Sequence, residues 1–265
     1  MMSRGTDRRE FLSRIAAGSA SLLVAGSALA TDAEKKGGKG RKSGGRKGKA
    51  KESRQWKPLF NGTDLTGWKE MSSKPGQWKV VEGVLTCSGG GGGWLSTTEQ
   101  YANYEIALEF QLPAGGNSGV FLRHSGEGDG AYTGMEIQAL DDYAKMYDAL
   151  QPWQYCGSLY GVVAAAPAVS KRDPKWQDRA SKPPDASGKT PWQKLDILCA
   201  GRRVKVTLND KPIVDANLDD HPDQFAKHPG LKRVAGYIGL QNHSTGVYYR
   251  NIMIRDPGPQ EPAAK

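Results

Sequence analysis

Apolar and polar side chains alternate over most of the chain from Trp56 onward. Between 104 and 112, Ile106, Leu108 and Phe110 alternate with Glu105, Ala107 and Glu109. A period of two turns one face of a strand to a core and the other to water. Shorter runs of the same kind cover 118–123, 134–140, 194–199, 203–208, 237–241 and 247–254, and Gly, Pro, Asn or Asp separates most of them. Residues 78–86 read as a hairpin around Glu82-Gly83, and 202–214 as strand, Asn209-Asp210 turn and strand. No long stretch carries a helical period. Short strands at this spacing predict an antiparallel β-sandwich. Residues 164–192 break the rhythm with Pro167, Pro174, Pro183, Pro184 and Pro191 and read as one long loop, of the kind that often carries function.

Charge changes the picture at the N-terminal end. The chain has 265 residues and a formal net charge of +9. Residues 1–30 contribute +2 and residues 31–55 contribute +7, from ten basic and three acidic side chains, so the body from 56 onward is neutral. A basic groove for nucleic acid is therefore excluded from the part able to form one. Arg8-Arg9 precedes an apolar Ala/Ser/Gly-rich run over 15–29, and Ala28-Leu29-Ala30 is a small-x-small site. That order is a signal peptide, and the paired arginines suggest the twin-arginine export route to the periplasm or beyond. The run is shorter than the ~20 residues that span a bilayer, so it is read as a cleaved leader, with no stable membrane insertion afterwards. Residues 31–55 carry almost no apolar side chain and read as a disordered basic linker, and 257–265 as a flexible tail. The linker suits an anionic envelope surface; a plain solvated spacer is the simpler reading. Cys87, Cys156 and Cys199 are odd in number and far apart, so buried free thiols are expected and not a disulfide framework.

The candidate chemistry lies on strand faces. Glu136 and Gln138 lie two apart, opposite Met135 and Ile137; Gln241 and His243 flank Asn242 and follow Leu240. Arg123 follows Leu122, and Arg250 and Asn251 interrupt an apolar strand. Taken singly, each is ordinary surface. Taken together, Glu, Gln, Arg and His beside Tyr132, Trp153, Tyr160 and Trp192 are the mixture that binds glycans: aromatic faces stack on sugar rings and planar polar groups bond the hydroxyls. Glu136 with Asp141 and Asp142 could hold a hard cation, although adjacent Asp residues are more often turn formers. His221 and His228 read as surface, and no hydrolase nucleophile motif is present.

The motifs in order carry a resemblance. They are Trp56-Lys57-Pro58-Leu59-Phe60-Asn61-Gly62-Thr63-Asp64-Leu65-Thr66-Gly67-Trp68, Trp78-Lys79-Val80-Val81-Glu82-Gly83-Val84-Leu85 and Asn117-Ser118-Gly119-Val120-Phe121-Leu122-Arg123. Met135-Glu136-Ile137-Gln138-Ala139-Leu140-Asp141-Asp142, Ser158-Leu159-Tyr160-Gly161, Gly239-Leu240-Gln241-Asn242-His243 and Tyr249-Arg250-Asn251-Ile252 complete the series. Over nearly all of 56–256 the chain resembles the 3-keto-disaccharide hydrolase family, also described as 3-keto-glucoside 1,2-lyase and 3-keto-2-hydroxy-glucal hydratase domains. Asn209-Asp210 departs from the family's usual Asn-Gly, which affects a turn and not the site. The basic linker lies outside the family pattern.

The resemblance implies an all-β, concanavalin A-like lectin/glucanase jelly roll of two antiparallel sheets with a sugar cleft. It also implies action on glucosides already oxidised at carbon three. The ketone acidifies the proton on carbon two, a base removes it, the glycosidic oxygen leaves carbon one, and water adds to the glycal. On this expectation Glu136 is the base, with His243 as second choice, and Arg123 steadies the enolate. Asn117, Gln138, Asp141, Tyr160, Trp192, Gln241 and Arg250 hold the sugar. A divalent cation on Glu136 and Asp141 is the alternative electrophile, and no organic cofactor is called for. Two other classes compete: a secreted lectin-like module with no turnover, which needs neither base nor electrophile, and a structural envelope protein, which needs no cleft.

Overall fold

The computed structural model describes residues 54–72 and 74–259. The leader over 1–30, nearly all of the basic linker and residues 260–265 of the tail lie outside the described residues. Thirteen strands run Lys57–Pro58 (β1), Trp68–Met71 (β2), Trp78–Val81 (β3), Val84–Cys87 (β4), Trp94–Thr97 (β5), Tyr104–Gln111 (β6), Asn117–His124 (β7), Met135–Leu140 (β8), Gln193–Ala200 (β9), Arg203–Leu208 (β10), Lys211–Asn217 (β11), Tyr237–Gln241 (β12) and Val247–Arg255 (β13). Among the described residues one short α-helix, Gly130–Thr133 (α1), precedes β8. Among the described residues no helix is long and apolar enough to cross a membrane.

The strands form two antiparallel sheets. The larger has the order β11-β10-β9-β6-β13-β4-β3 with β1 against β13; the smaller has the order β2-β5-β12-β7-β8. This is the all-β jelly-roll sandwich expected. The alternation read from 104–112 is realised in β6, where Tyr104, Ile106, Leu108 and Phe110 are buried and the residues between them are not. They pack with Leu195, Ile197, Val206, Leu85 and Tyr249 of the larger sheet against Leu95, Val120, Leu122, Ile137, Ile238 and Leu240 of the smaller. Each such side chain contributes about 1.5–3 kcal/mol by leaving water. Two hairpins form where turn residues demanded them: Glu82 and Gly83 sit at φ 51° and 79°, Asn209 and Asp210 at 49° and 64°. Two consecutive left-handed residues match the twist of the flanking strands.

The long loop is held as structure. Arg179 donates to Asp142 Oδ2 from Nε at 3.1 Å, Ser181 Oγ donates to Asp142 Oδ1 at 3.1 Å, and the Cys156 amide donates to Asp142 Oδ2 at 3.0 Å. Asp142 is thus a buried anchor for the loop. Nearer the site, a different segment closes the free edge of β8. Gln138 N–H donates to Ser158 O, Gly157 N–H to Gln138 O and Tyr160 N–H to Glu136 O. Residues 157–160 therefore continue the smaller sheet beyond its last strand, and every residue of β8 is buried on both faces.

Candidate functional site

In β7 and β8, Val120, Leu122, Met135, Ile137 and Ala139 belong to the core between the sheets. Alternation puts Asn117, Gly119 and Phe121, with Glu136 and Gln138, on the other face of the smaller sheet. In β12 the inward residues are Ile238 and Leu240, which leaves Gly239 and Gln241 on that same outer face. Register aligns them. Phe121 lies across from Glu136, Gly119 across from Gln138, Gly239 across from Ser96 and Phe121, and Gln241 across from Trp94.

Two glycines open the middle of this face. A Cβ on Gly119 would collide with the Glu136 carboxylate, so that carboxylate lies directly over the Gly119 backbone. A Cβ on Gly239 would press on the rings of Phe121, His124 and Trp94, at 3.1–3.2 Å. The floor is thus made of backbone, and the polar groups stand around it. Glu136 has no exposed surface. Gln138 Oε1, Gln241 Oε1, Asn117 Oδ1 and Trp94 Nε1 are buried with no hydrogen-bond partner among the described residues. Buried polar atoms are normally paired, so several unpaired ones on one face mark a place built to bond something else. Gln138 is held in place by its other amide atom, Nε2, which donates to Gln154 O at 3.3 Å.

The edge segment supplies an aromatic wall. Trp153 and Tyr160 meet edge to face at 5.7 Å, and Gln154 Nε2 reaches Tyr160 Oη at 3.4 Å. Beside them His228 stacks on Tyr132 at 4.8 Å with 24° between the rings. The expectation of a surface histidine at 228 is corrected: its side chain is buried. Local sequence carried no sign of this, because the ring is covered by residues remote in the chain.

The expected site residues divide. Glu136, Gln138, Gln241 and Asn117 share the face, and Tyr160 borders it. Arg123 does not. Its guanidinium is fully buried and donates to the carbonyls of Ala102, Gly201 and Arg233, at 2.6–3.1 Å, with Asn103 Oδ1 at 3.4 Å. Arg123 has φ 51°, a left-handed residue at an irregularity in the β7–β12 pairing, and this turn of the backbone redirects the side chain that simple alternation would leave beside Phe121. Trp192 and Arg250 stack on one another at 4.1 Å at the larger sheet, where Arg250 also pairs with Glu109 at 2.6 Å. They are a surface pair on the far side of the sandwich. Asp141 uses Oδ2 to brace the Gly115 amide at 2.7 Å.

His243 sits in the β12–β13 turn, beside the Thr245 hydroxyl that exchanges hydrogen bonds with the Asn117 backbone. Glu136 lies level with Phe121, four residues along β7, so ~13 Å of strand separates the two levels. Among the described residues no three His, Cys, Asp or Glu side chains gather in one place.

The remaining titratable groups are committed. His124 accepts from the Gly126 amide at Nδ1 and meets Ser96 Oγ through Nε2, and burial pulls its pKa down to about 4. Burial pushes the Cys87 thiol up to about 11 and the Cys156 thiol to about 12, and all three cysteines are free and buried. None is a nucleophile at neutral pH.

A polar, glycine-floored face at the edge of a jelly roll can now be set beside known proteins. A family model described as 3-keto-alpha-glucoside-1,2-lyase-like domain matches residues 55–255. A 3-keto-disaccharide hydrolase of Bacteroides thetaiotaomicron is 23% identical over 234 residues, 74% of this chain and 77% of that protein. Two solved structures from Parabacteroides distasonis, both provisionally assigned as glycosyl hydrolases, superpose with TM-scores of 0.62 and 0.59 at 26% and 24% identity. They cover 76% and 78% of this chain and 99% and 96% of their own. The family motifs run through the strands that build the face, and on that basis the chain belongs to the 3-keto-alpha-glucoside-1,2-lyase-like domain family.

Proposed function

We propose that the outer face of the smaller sheet cleaves 3-keto-glucosides by elimination and hydration. The observation that carries this is the group of buried polar atoms without partners on Gln138, Gln241, Asn117 and Trp94, ranged about a carboxylate over a glycine. Sugar hydroxyls supply what amide oxygens lack, and Tyr160 with Trp153 offers an aromatic edge to the ring.

Glu136 is the base. Carbon two of a 3-keto sugar is acidified by the neighbouring carbonyl, so a carboxylate can remove its proton; an ordinary glycoside would need the two-carboxylate arrangement instead. The enolate that forms carries charge on the ketone oxygen. With Arg123 committed to backbone carbonyls, a neutral donor can meet that charge, and Trp94 Nε1–H is a buried donor on this face without a partner. The glycosidic oxygen then leaves carbon one, and water adds to the glycal to complete net hydrolysis.

The test is turnover of 3-keto-lactose and 3-keto-trehalose by purified protein, with and without chelator, following released sugar and glycal absorbance. Glu136→Gln keeps size and removes the charge, and should lower turnover by about a hundredfold or more while the fold survives. Near-normal turnover by that variant would displace Glu136 as the base. Binding of keto-sugars by wild type with no turnover under any metal condition would make the domain a lectin.

A further inference from the structure

Gly119 stands buried in the interior of β7, paired with Gln138 of β8. Glycine in the middle of a strand weakens it, and there it marks a bulge, a bend or a close approach. The first two do not apply. β7 keeps one regular register with β8 from Asn117 to Leu122, and Gly119 is not among the residues of positive φ. The backbone at 119 asks nothing of glycine. The space above it does: a Cβ would lie 2.2 Å from Glu136 Oε1 and 2.8 Å from Glu136 Cδ and Cγ.

The glutamate reaches that spot along a diagonal. Its own partner on β7 is Phe121, two residues on from Gly119. Diagonal neighbours in an antiparallel pair lie about 7–8 Å apart, within reach of a long side chain. The lean carries the carboxylate from the level of Phe121 to the level of Gly119, where the other polar groups of the face stand. Gly119 pairs with Gln138 on one side. On the other, Leu240 pairs with Val120, so one step further along both strands Gln241 is level with Gly119, and Gln241 pairs in turn with Trp94. Trp94, Gln241, the Glu136 carboxylate and Gln138 therefore form one row across β5, β12, β7 and β8.

We propose that Gly119 is the positioning residue of the base: its missing side chain seats the Glu136 carboxylate in this row, between the two glutamines. This rests on the 3-keto-glucoside reading above. Adjacent strands are about 4.8 Å apart, so a carboxylate over Gly119 meets the C2 proton of a sugar whose hydroxyls bond Gln138 on one side and Gln241 on the other. Held level with Phe121 instead, it would stand about 7 Å along the strand from both amides and from the sugar they hold. The diagonal also explains the residue type, since aspartate is one methylene too short to cross it.

The test separates position from packing. Gly119→Ala is made both in the wild-type protein and in Glu136→Gln. Glutamine has the shape of glutamate, so the added methyl group meets the same obstacle in both and should lower Tm by the same amount. Turnover of 3-keto-lactose should respond differently. With the carboxylate present, Gly119→Ala should lower kcat by about a hundredfold, the effect of misplacing a reacting group by about 1 Å; in Glu136→Gln the further loss should stay under about threefold. Equal fold losses in the two backgrounds, or no loss in either, would overturn the proposal. If Gly119→Ala does not fold, Glu136→Asp decides, because it keeps the charge and leaves Gly119 untouched. It should lose about thirtyfold or more in kcat, and near-normal turnover by the aspartate would show that a carboxylate over Gly119 is not needed. Wild type inactive on the keto-sugar would sink the reaction itself, and a near-normal Glu136→Gln would sink the base. An active wild type with a crippled Glu136→Gln and a normal Gly119→Ala would sink Gly119 alone.

Discussion

At the scale of single residues, chemistry is decided by what each polar atom already touches. Arg123 and Glu136 are both fully buried in neighbouring strands, and composition would rank the arginine as the natural partner of an enolate. The arginine's nitrogens are spent on three carbonyls that close the ends of loops at 102, 201 and 233. Lysine keeps the charge but cannot span those acceptors. Arg123→Lys should therefore lower stability by about 2–4 kcal/mol, read from the urea midpoint, while turnover per folded molecule stays within about threefold of wild type. A variant with an unchanged midpoint and lost turnover would return Arg123 to the site. Gln138 and Gln241 were legible in sequence because alternation alone sets their face. Arg123 was not, since one left-handed residue at a strand irregularity redirects it.

At the scale of elements, the hairpins show how local chemistry and its departures are tolerated. The β10–β11 turn places Asp210 at φ 64°, a conformation that costs an ordinary residue about 1 kcal/mol and glycine nothing. Asn209 is tied in: its Oδ1 accepts from the Lys194 amide at 3.0 Å and its Nδ2 donates to Ala180 O at 2.8 Å. Asp210 holds only an exposed ion pair with Lys194 at 3.0 Å, which contributes little. Asp210→Gly should accordingly stabilise the domain by about 0.5–1 kcal/mol, seen as a raised Tm, while Asn209→Gly should destabilise it. The strand spacing and the turns were legible because both are local. The edge segment 157–160 was hidden for the opposite reason: it holds β8 through backbone bonds, and its own sequence shows no strand alternation.

At the scale of the molecule, charge and fold separate cleanly along the chain. The basic excess lies before residue 56 and the sandwich domain is neutral, so the tail and not the site sets the high pI. Export by the twin-arginine route remains a proposal of the leader alone; changing Arg8 and Arg9 to Lys should leave precursor in the cytoplasm, and normal export of the double variant would assign the general secretory route. The amino-acid order by itself determined most of the strands, though not the short β1, β2 and β5, their core faces, the two tight hairpins, the family, the polar pair on β8 and Gln241 on β12, because periodicity, turn chemistry and motif order are properties of neighbouring residues. Tertiary structure alone decided that Glu136 lies over Gly119, that His228 is buried against Gly161, that Arg123 is a loop clamp and that Trp192 and Arg250 belong to the far sheet. Each of those depends on which remote segment covers a side chain, and burial by remote segments is set only when the two sheets close.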